Sequence, residues 1–152
     1  MKLIDTDFIV NTDLKEVMRQ EVFKYHPEAN KTVIDFIINF NWHDKGKEEM
    51  QEVIRHQFRA GYCYHFALIL KDAFQRGEIC WCAPFGHICW VDDDGIPYDI
   101  EGVCESDCDY YIPISYIKDG LDDFKRVPGK IFNATKEYIN NAIERYLNDQ
   151  SI

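Results

Sequence analysis

The sequence is short of several things, and each shortage closes off a class of function. It holds 17 basic residues against 27 acidic ones, a formal net charge of −10. An extended phosphate-binding face would therefore work against the chain's own field, and nucleic acid is set aside as the main partner. The longest unbroken apolar run is Phe66-Ala67-Leu68-Ile69-Leu70, far below the roughly 18 residues that a membrane-spanning helix needs. The opening residues carry Asp5 and Asp7 where an export signal would place its apolar stretch, so a cytoplasmic protein without membrane association is the expectation. Repeats, low-complexity tracts and Pro- or Gly-rich linkers are also missing. With 152 residues, 46% of them hydrophobic, the chain has core enough for one domain, 1–152, and too little for two.

Cysteine, by contrast, is present six times. Under the reducing conditions of a cytoplasm a disulfide framework is not expected, and each thiol is read as buried, metal-bound or reactive.

Periodicity divides the chain into helices, then strands, then a helix. Asp13-Leu14-Lys15-Glu16 has the form of a capping box, followed by Leu14, Val17, Met18, Val22 and Tyr25 at helical spacing up to Pro27. Further helices are expected from about Lys31 to Phe40, with Val33, Phe36, Ile37 and Phe40 on one stripe, and from about Lys47 to Phe58. A fourth, from Tyr62 to about Gln75, has Cys63, Ala67, Leu70 and Phe74 on one side, with Gly77 as its stop. The period then falls to two. Glu78 to Ala83 and His87 to Val91 read as strands, the second leading through Asp92-Asp93-Asp94-Gly95 into Ile96 to Glu101 as a hairpin. Asp109 to Ile117 adds an extended stretch that Pro113 confines to an edge or bulge, and Asn133 is the expected cap of a last helix. The class is α+β: N-terminal helices packed on a small antiparallel sheet, then a C-terminal helix.

Cysteine chemistry needs a thiolate, a base beside it and a group that orients the base. Cys63 follows Gly61 at the start of a helix, where unpaired amides and the macrodipole favour negative sulfur. His87 opens a strand. A three-residue turn at Asp93-Asp94-Gly95 sets Glu101 opposite His87 and Asp99 opposite Cys89, so both acids share the histidine's face and either can orient it. The triad read from this is Cys63, His87 and Asp99, with Glu101 as the rival orienting acid. Gln57, six residues before Cys63, is a candidate for completing an oxyanion hole with the amide of Cys63, or else a solvated residue at a helix end.

At these residues the sequence resembles a known family. Gly61-Tyr62-Cys63-Tyr64-His65-Phe66-Ala67 is similar to the transglutaminase-core signature that opens the nucleophile helix. Gly86-His87-Ile88-Cys89-Trp90, with Asp94-Gly95 and Tyr98-Asp99 after it, resembles that family's His-strand, turn and Asp-strand. The resemblance implies a papain-like α+β core, with Cys63 as nucleophile, His87 as general base and Asp99 as the orienting carboxylate. It extends to the wider papain-like superfamily, including the CHAP- and NlpC-type peptidases, whose Gly-His strand Gly86-His87 resembles.

The expected activity is that of a cysteine-dependent hydrolase or acyl transferase acting on a peptide or carboxamide bond, with no cofactor and no metal in the catalytic step. A peptidoglycan hydrolase of CHAP or NlpC type is the alternative enzyme, and a non-catalytic acidic binding module on the same fold is the alternative outside enzymology. Eleven acids against one base between Val91 and Asp123 would steer a Lys- or Arg-bearing peptide or protein substrate, although such an excess is more often a solvated face. Cys80, Cys82, Cys104 and Cys108 can be drawn as a four-sulfur zinc site or as buried thiols, and Cys89 packs on the face of His87. His65, about 200° round the helix from Cys63, cannot serve as its base.

Overall fold

A computed structural model describes residues 15–41, 55–58, 62–117 and 135–151. The capping residue Asp13, residues 47–54 of the third expected helix, Gly61, Lys118 and Asn133 lie outside the described residues. The architecture is α+β. Helix α1 covers residues 15–25 and α2 runs Lys31–Asn41. Residues 55–58 are helical, α3 spans Cys63–Phe74 and α4 spans Lys136–Gln150. Between α3 and α4 lie β1 Glu78–Ala83, β2 His87–Val91, β3 Pro97–Asp99, β4 Gly102–Val103 and β5 Tyr110–Pro113, followed by a 3-10 turn at Ile114–Ile117.

The five strands form one antiparallel sheet in the order β4-β3-β2-β1-β5. Alternation along the strands divides their side chains between two layers. Trp81, Ala83, Ile88, Trp90, Tyr98 and Ile112 join Ile34, Ile37, Phe66 and Leu70 in the main core, beneath the helices. Cys80, Cys82 and Cys89, with Val91 and Tyr111, form a second apolar cluster to which Cys104 and Cys108 belong. Burying the Trp90 side chain, which is wholly inaccessible and stacked on Phe74 at 5.5 Å, is worth on the order of 3 kcal/mol or more by area. It holds α3 against β2.

Several local expectations change. Gly77 does not cap α3: Gln75 takes the left-handed position (φ 55°) and its N–H bonds Lys71 O. Gly77 (φ +74°) instead lets the chain pass close under β2, where a Cβ would sit 2.4 Å from Val91 O. The helix ends two residues sooner because Lys71 Nζ and Trp90 Nε1 claim the carbonyls of Gly77 and Arg76. The last helix is capped by Thr135, whose hydroxyl accepts from Tyr138 N–H. The stretch after Asp109 is a strand only to Pro113, an edge position, before the chain winds into the 3-10 turn. The buried stripe of α2 is Val33, Ile34, Ile37 and Ile38, with Phe36 and Phe40 at its margins; on α1, Val17 and Tyr25 are exposed. Among the described residues no helix is long and apolar enough to cross a membrane.

The hairpin register is the one the turn spacing predicts: Trp90 faces Tyr98 and Val91 faces Pro97. Asp92 fixes this turn, its carboxylate accepting from the N–H groups of Asp94 and Ile96. The third strand, however, stops at Asp99, and Ile100-Glu101 form a turn into β4. Glu101 therefore has no ladder position opposite His87.

Candidate active site

Two elements bring the triad candidates together. Cys63 is the first residue of α3, and its N-cap, Tyr62 (φ −105°, ψ 18°), provides no side-chain cap. The amides of the first turn thus receive no capping oxygen from the Tyr62 side chain. His87 is the first residue of β2, facing Cys82 of β1 in the register. Asp99, the last residue of β3, approaches the ring diagonally, with Asp99 Oδ2 3.0 Å from His87 Nε2. The other carboxylate oxygen, Oδ1, accepts from the backbone N–H of Glu101 at 2.9 Å, so the β3–β4 turn itself holds the acid.

Both residues are largely shielded, with side chains 20% and 13% accessible. Burial by itself would lower the imidazole pKa, but hydrogen bonds to Asp99, Cys104 and Cys63 outweigh it and push the pKa up to about 12. Burial raises the Asp99 carboxyl, opposed by the hydrogen bond from His87. With Nε2 engaged by Asp99, Nδ1 is the ring nitrogen left for a thiol.

The remaining candidates fall elsewhere. Glu101 reaches Arg55, 3.7 Å from its Nη1, rather than His87. Gln57 is exposed on the helical residues 55–58, and its backbone carbonyl accepts from Tyr62 N–H. It is not among the residues lining the cleft described below. His65 packs between the rings of Tyr62 and Tyr64. Cys80 is buried on β1 next to Glu78, and burial first, then that carboxylate, raises its thiol to about 12.

One participant is missing from the sequence reading: Cys104, whose sulfur lies within 4.8 Å of the ligand atoms of His87 and Asp99 and, like Cys63, helps to raise the pKa of the ring. Its thiol is lowered by hydrogen bonds from Cys82 and Cys89 first, and then from His87 and the Ser106 amide, against the cost of burial. The signal was available. The pairs Tyr98–Val103 and Asp99–Gly102 extend to Pro97 and Cys104, whose N–H bonds Pro97 O, and that register carries Cys104 to the face of Asp99. Reading it required recognising the two-residue strand β4.

A cleft of about 590 Å³ opens over His87 and Asp99. Its walls include Tyr25, His26 and Glu21 of the α1 end, Arg55, and Glu101, Val103, Glu105 and Ser106 from the β3–β4 region. His26 Nε2 lies 2.8 Å from Glu105 Oε1 and Nδ1 3.4 Å from Glu28, closing one side. Cys63 is 4% accessible and is not among the residues that line the cleft. A ligand in the cleft meets the histidine and the carboxylate first. A family model described as Phage YunG-like protein matches residues 42–148, a range that includes Cys63, His87, Asp99 and Cys104. No curated protein and no solved structure matches the chain.

Proposed function

The chain belongs to the Phage YunG-like family, and we propose that it is a cysteine-dependent hydrolase or acyl transferase acting on a peptide or carboxamide bond. The observation that carries this reading is the imidazole of His87, bonded to Asp99 at 3.0 Å and near enough to the Cys63 sulfur for that sulfur to help raise its pKa. Two independent elements, the start of a helix and the start of a strand, supply the sulfur and the ring. On this reading the helix laid across the antiparallel sheet is a papain-like core, as the resemblance of Gly61–Ala67 and Gly86–Trp90 implies.

In the reaction the Cys63 sulfur attacks the carbonyl carbon, forming the S–C bond while the carbonyl oxygen becomes an oxyanion. Backbone amides of the first turn of α3, that of Cys63 among them, are the donors that this reading assigns to that oxygen. His87 then gives its proton to the departing amine as the C–N bond breaks, leaving a thioester. The neutral ring next takes a proton from water, which attacks the thioester and releases the acid; an amine in place of water gives transfer. Hydrolysis is the favoured outcome, because it asks only that water reach the cleft. Asp99 holds the ring in the orientation that offers a nitrogen to sulfur. Glu21, Glu101 and Glu105 around the opening, with Arg55 and His26 already paired to Glu101 and Glu105, suit a Lys- or Arg-bearing segment of the substrate.

The test is limited alkylation with iodoacetamide followed by peptide mapping, alongside a panel of peptides with basic residues next to the scissile or side-chain amide. Cys63 is expected to label ahead of Cys80 and Cys82, and His87→Ala to slow both labelling and turnover, the latter by about 10²–10⁴-fold. Labelling of Cys63 no faster than of Cys80 in the native protein would remove the mechanism.

A further inference from the structure

We propose that Cys82, Cys89 and Cys104 form a binding site for a thiophilic d10 metal ion of the zinc class, on the face of the sheet opposite α2 and α3 and next to the candidate active site. The sulfurs of these residues all lie within 4.8 Å of one another. They are 0%, 1% and 5% accessible, and all are free thiols. They come from three places in the chain: β1, β2, and the segment after β4. Four-coordinate zinc with Zn–S bonds of about 2.3 Å places its sulfurs roughly 3.8 Å apart, so closing on an ion asks each side chain to move by an ångström at most.

The simplest rival is that the three are small apolar fillers, the usual fate of a buried cysteine. Two features argue against it. Sulfurs from three separate stretches of chain converge to within 4.8 Å of one another; fillers have no need to converge. The segment carrying Cys104 also has a mechanical task. Residues 104–109 take the chain from the β4 edge to the β5 edge of the sheet. Its ends are held by Cys104 N–H to Pro97 O and by Asp109 N–H to Ala83 O, and a metal on Cys104 would rivet it to β1 and β2.

Entry and charge also fit. Val103, Glu105 and Ser106, which flank Cys104, line the 590 Å³ cleft, giving a cation a path bordered by carboxylates. Cys108, half-buried in the same cluster, lies outside that group of three, so the fourth coordination position falls to water or to a shift of Cys108. This grouping differs from the quartet drawn from spacing alone: Cys89 replaces Cys80, which stands beside Glu78 and lines a separate cavity with Tyr111 and Tyr146. Binding forms three metal–sulfur bonds and releases to solvent the protons that the cluster's sulfurs still carry. It would also draw Cys104 off His87, leaving that ring to Cys63.

The experiment uses the reduced full-length chain, with Cd²⁺ and Zn²⁺ as probes. Expected are one equivalent of Cd²⁺ bound with a thiolate charge-transfer band, proton release on Zn²⁺ addition, and protection of Cys82, Cys89 and Cys104 from alkylation in the Zn²⁺-loaded protein. Cys104→Ser should abolish the band, while Cys63→Ala and Cys80→Ser keep it. Thiol protection is read on the unmutated protein, so a variant that fails to fold does not decide the matter. The proposal is overturned by an absent charge-transfer band, by a band that survives Cys104→Ser, by one lost in Cys80→Ser, or by equal alkylation of all six thiols with and without metal.

Discussion

Asp99 and Glu101 differ by two residues and by everything that matters to a histidine. The β3 ladder ends at Asp99, so the carboxylate of that residue is presented to His87 while the following turn swings Glu101 out to Arg55. Asp99→Asn should therefore slow alkylation of Cys63 by about tenfold or more, as loss of a group that orients another one does. Glu101→Gln should leave that rate near its starting value and weaken capture of a Lys-bearing peptide instead. Equal effects of the two substitutions on alkylation would show that Asp99 does no orienting. A second buried polar residue fixes this corner from the helix side: Asn41 Nδ2 donates to Ile37 O and Ile100 O at 3.0 and 3.1 Å. Asn41→Leu strands the Ile100 carbonyl and should cost about 1–3 kcal/mol in urea unfolding.

Elements are positioned by short local devices, some of them visible before folding and some not. Gly77 sits where a Cβ would meet Val91 O at 2.4 Å and the Trp90 indole at 2.8 Å, in a left-handed conformation besides. Gly77→Ala should destabilise by at least about 2 kcal/mol, because neither the backbone oxygen nor a fully buried ring can give way. Thr135→Ala should cost about 1 kcal/mol through the lost bond to Tyr138 N–H. Both are read from denaturant midpoints at unchanged slope. The strands Glu78–Ala83 and His87–Val91 were legible with their bounds, since alternating Trp, Ile and Cys between a Gly and a Pro leaves little else for the chain to do. The hairpin register was legible too, because three acidic and glycine turn residues set it. The cap at Gln75 was not: the carbonyls beyond it are claimed by Trp90 of β2 and by Lys71 of α3, and the first of these is a tertiary event. Strand β4 was too short to leave a period, and without it nothing carried Cys104 to the face of Asp99. The cleft was likewise invisible, since its α1 wall is brought to His87 by packing that no local pattern encodes.

At the scale of the whole molecule, a net charge of −10 acts on stability and on encounter together. The Debye length falls from about 30 Å at 0.01 M salt to about 8 Å at 0.15 M, which screens self-repulsion. The melting temperature should rise over that interval while affinity for a basic peptide falls, in thermal unfolding and in titration respectively; a melting temperature that falls as salt is added would show that attraction, not repulsion, dominates the surface. The strand order has a consequence for the molecule's conduct among its own copies. At one margin of the sheet stands β4, a ladder of Gly102 and Val103 alone; at the other stands β5, closed by Pro113, which has no N–H to offer. Among the described residues neither rim gives an incoming extended segment enough donors and acceptors to dock, so the largely buried apolar strands between them are withheld from cross-β stacking even in a crowded solution.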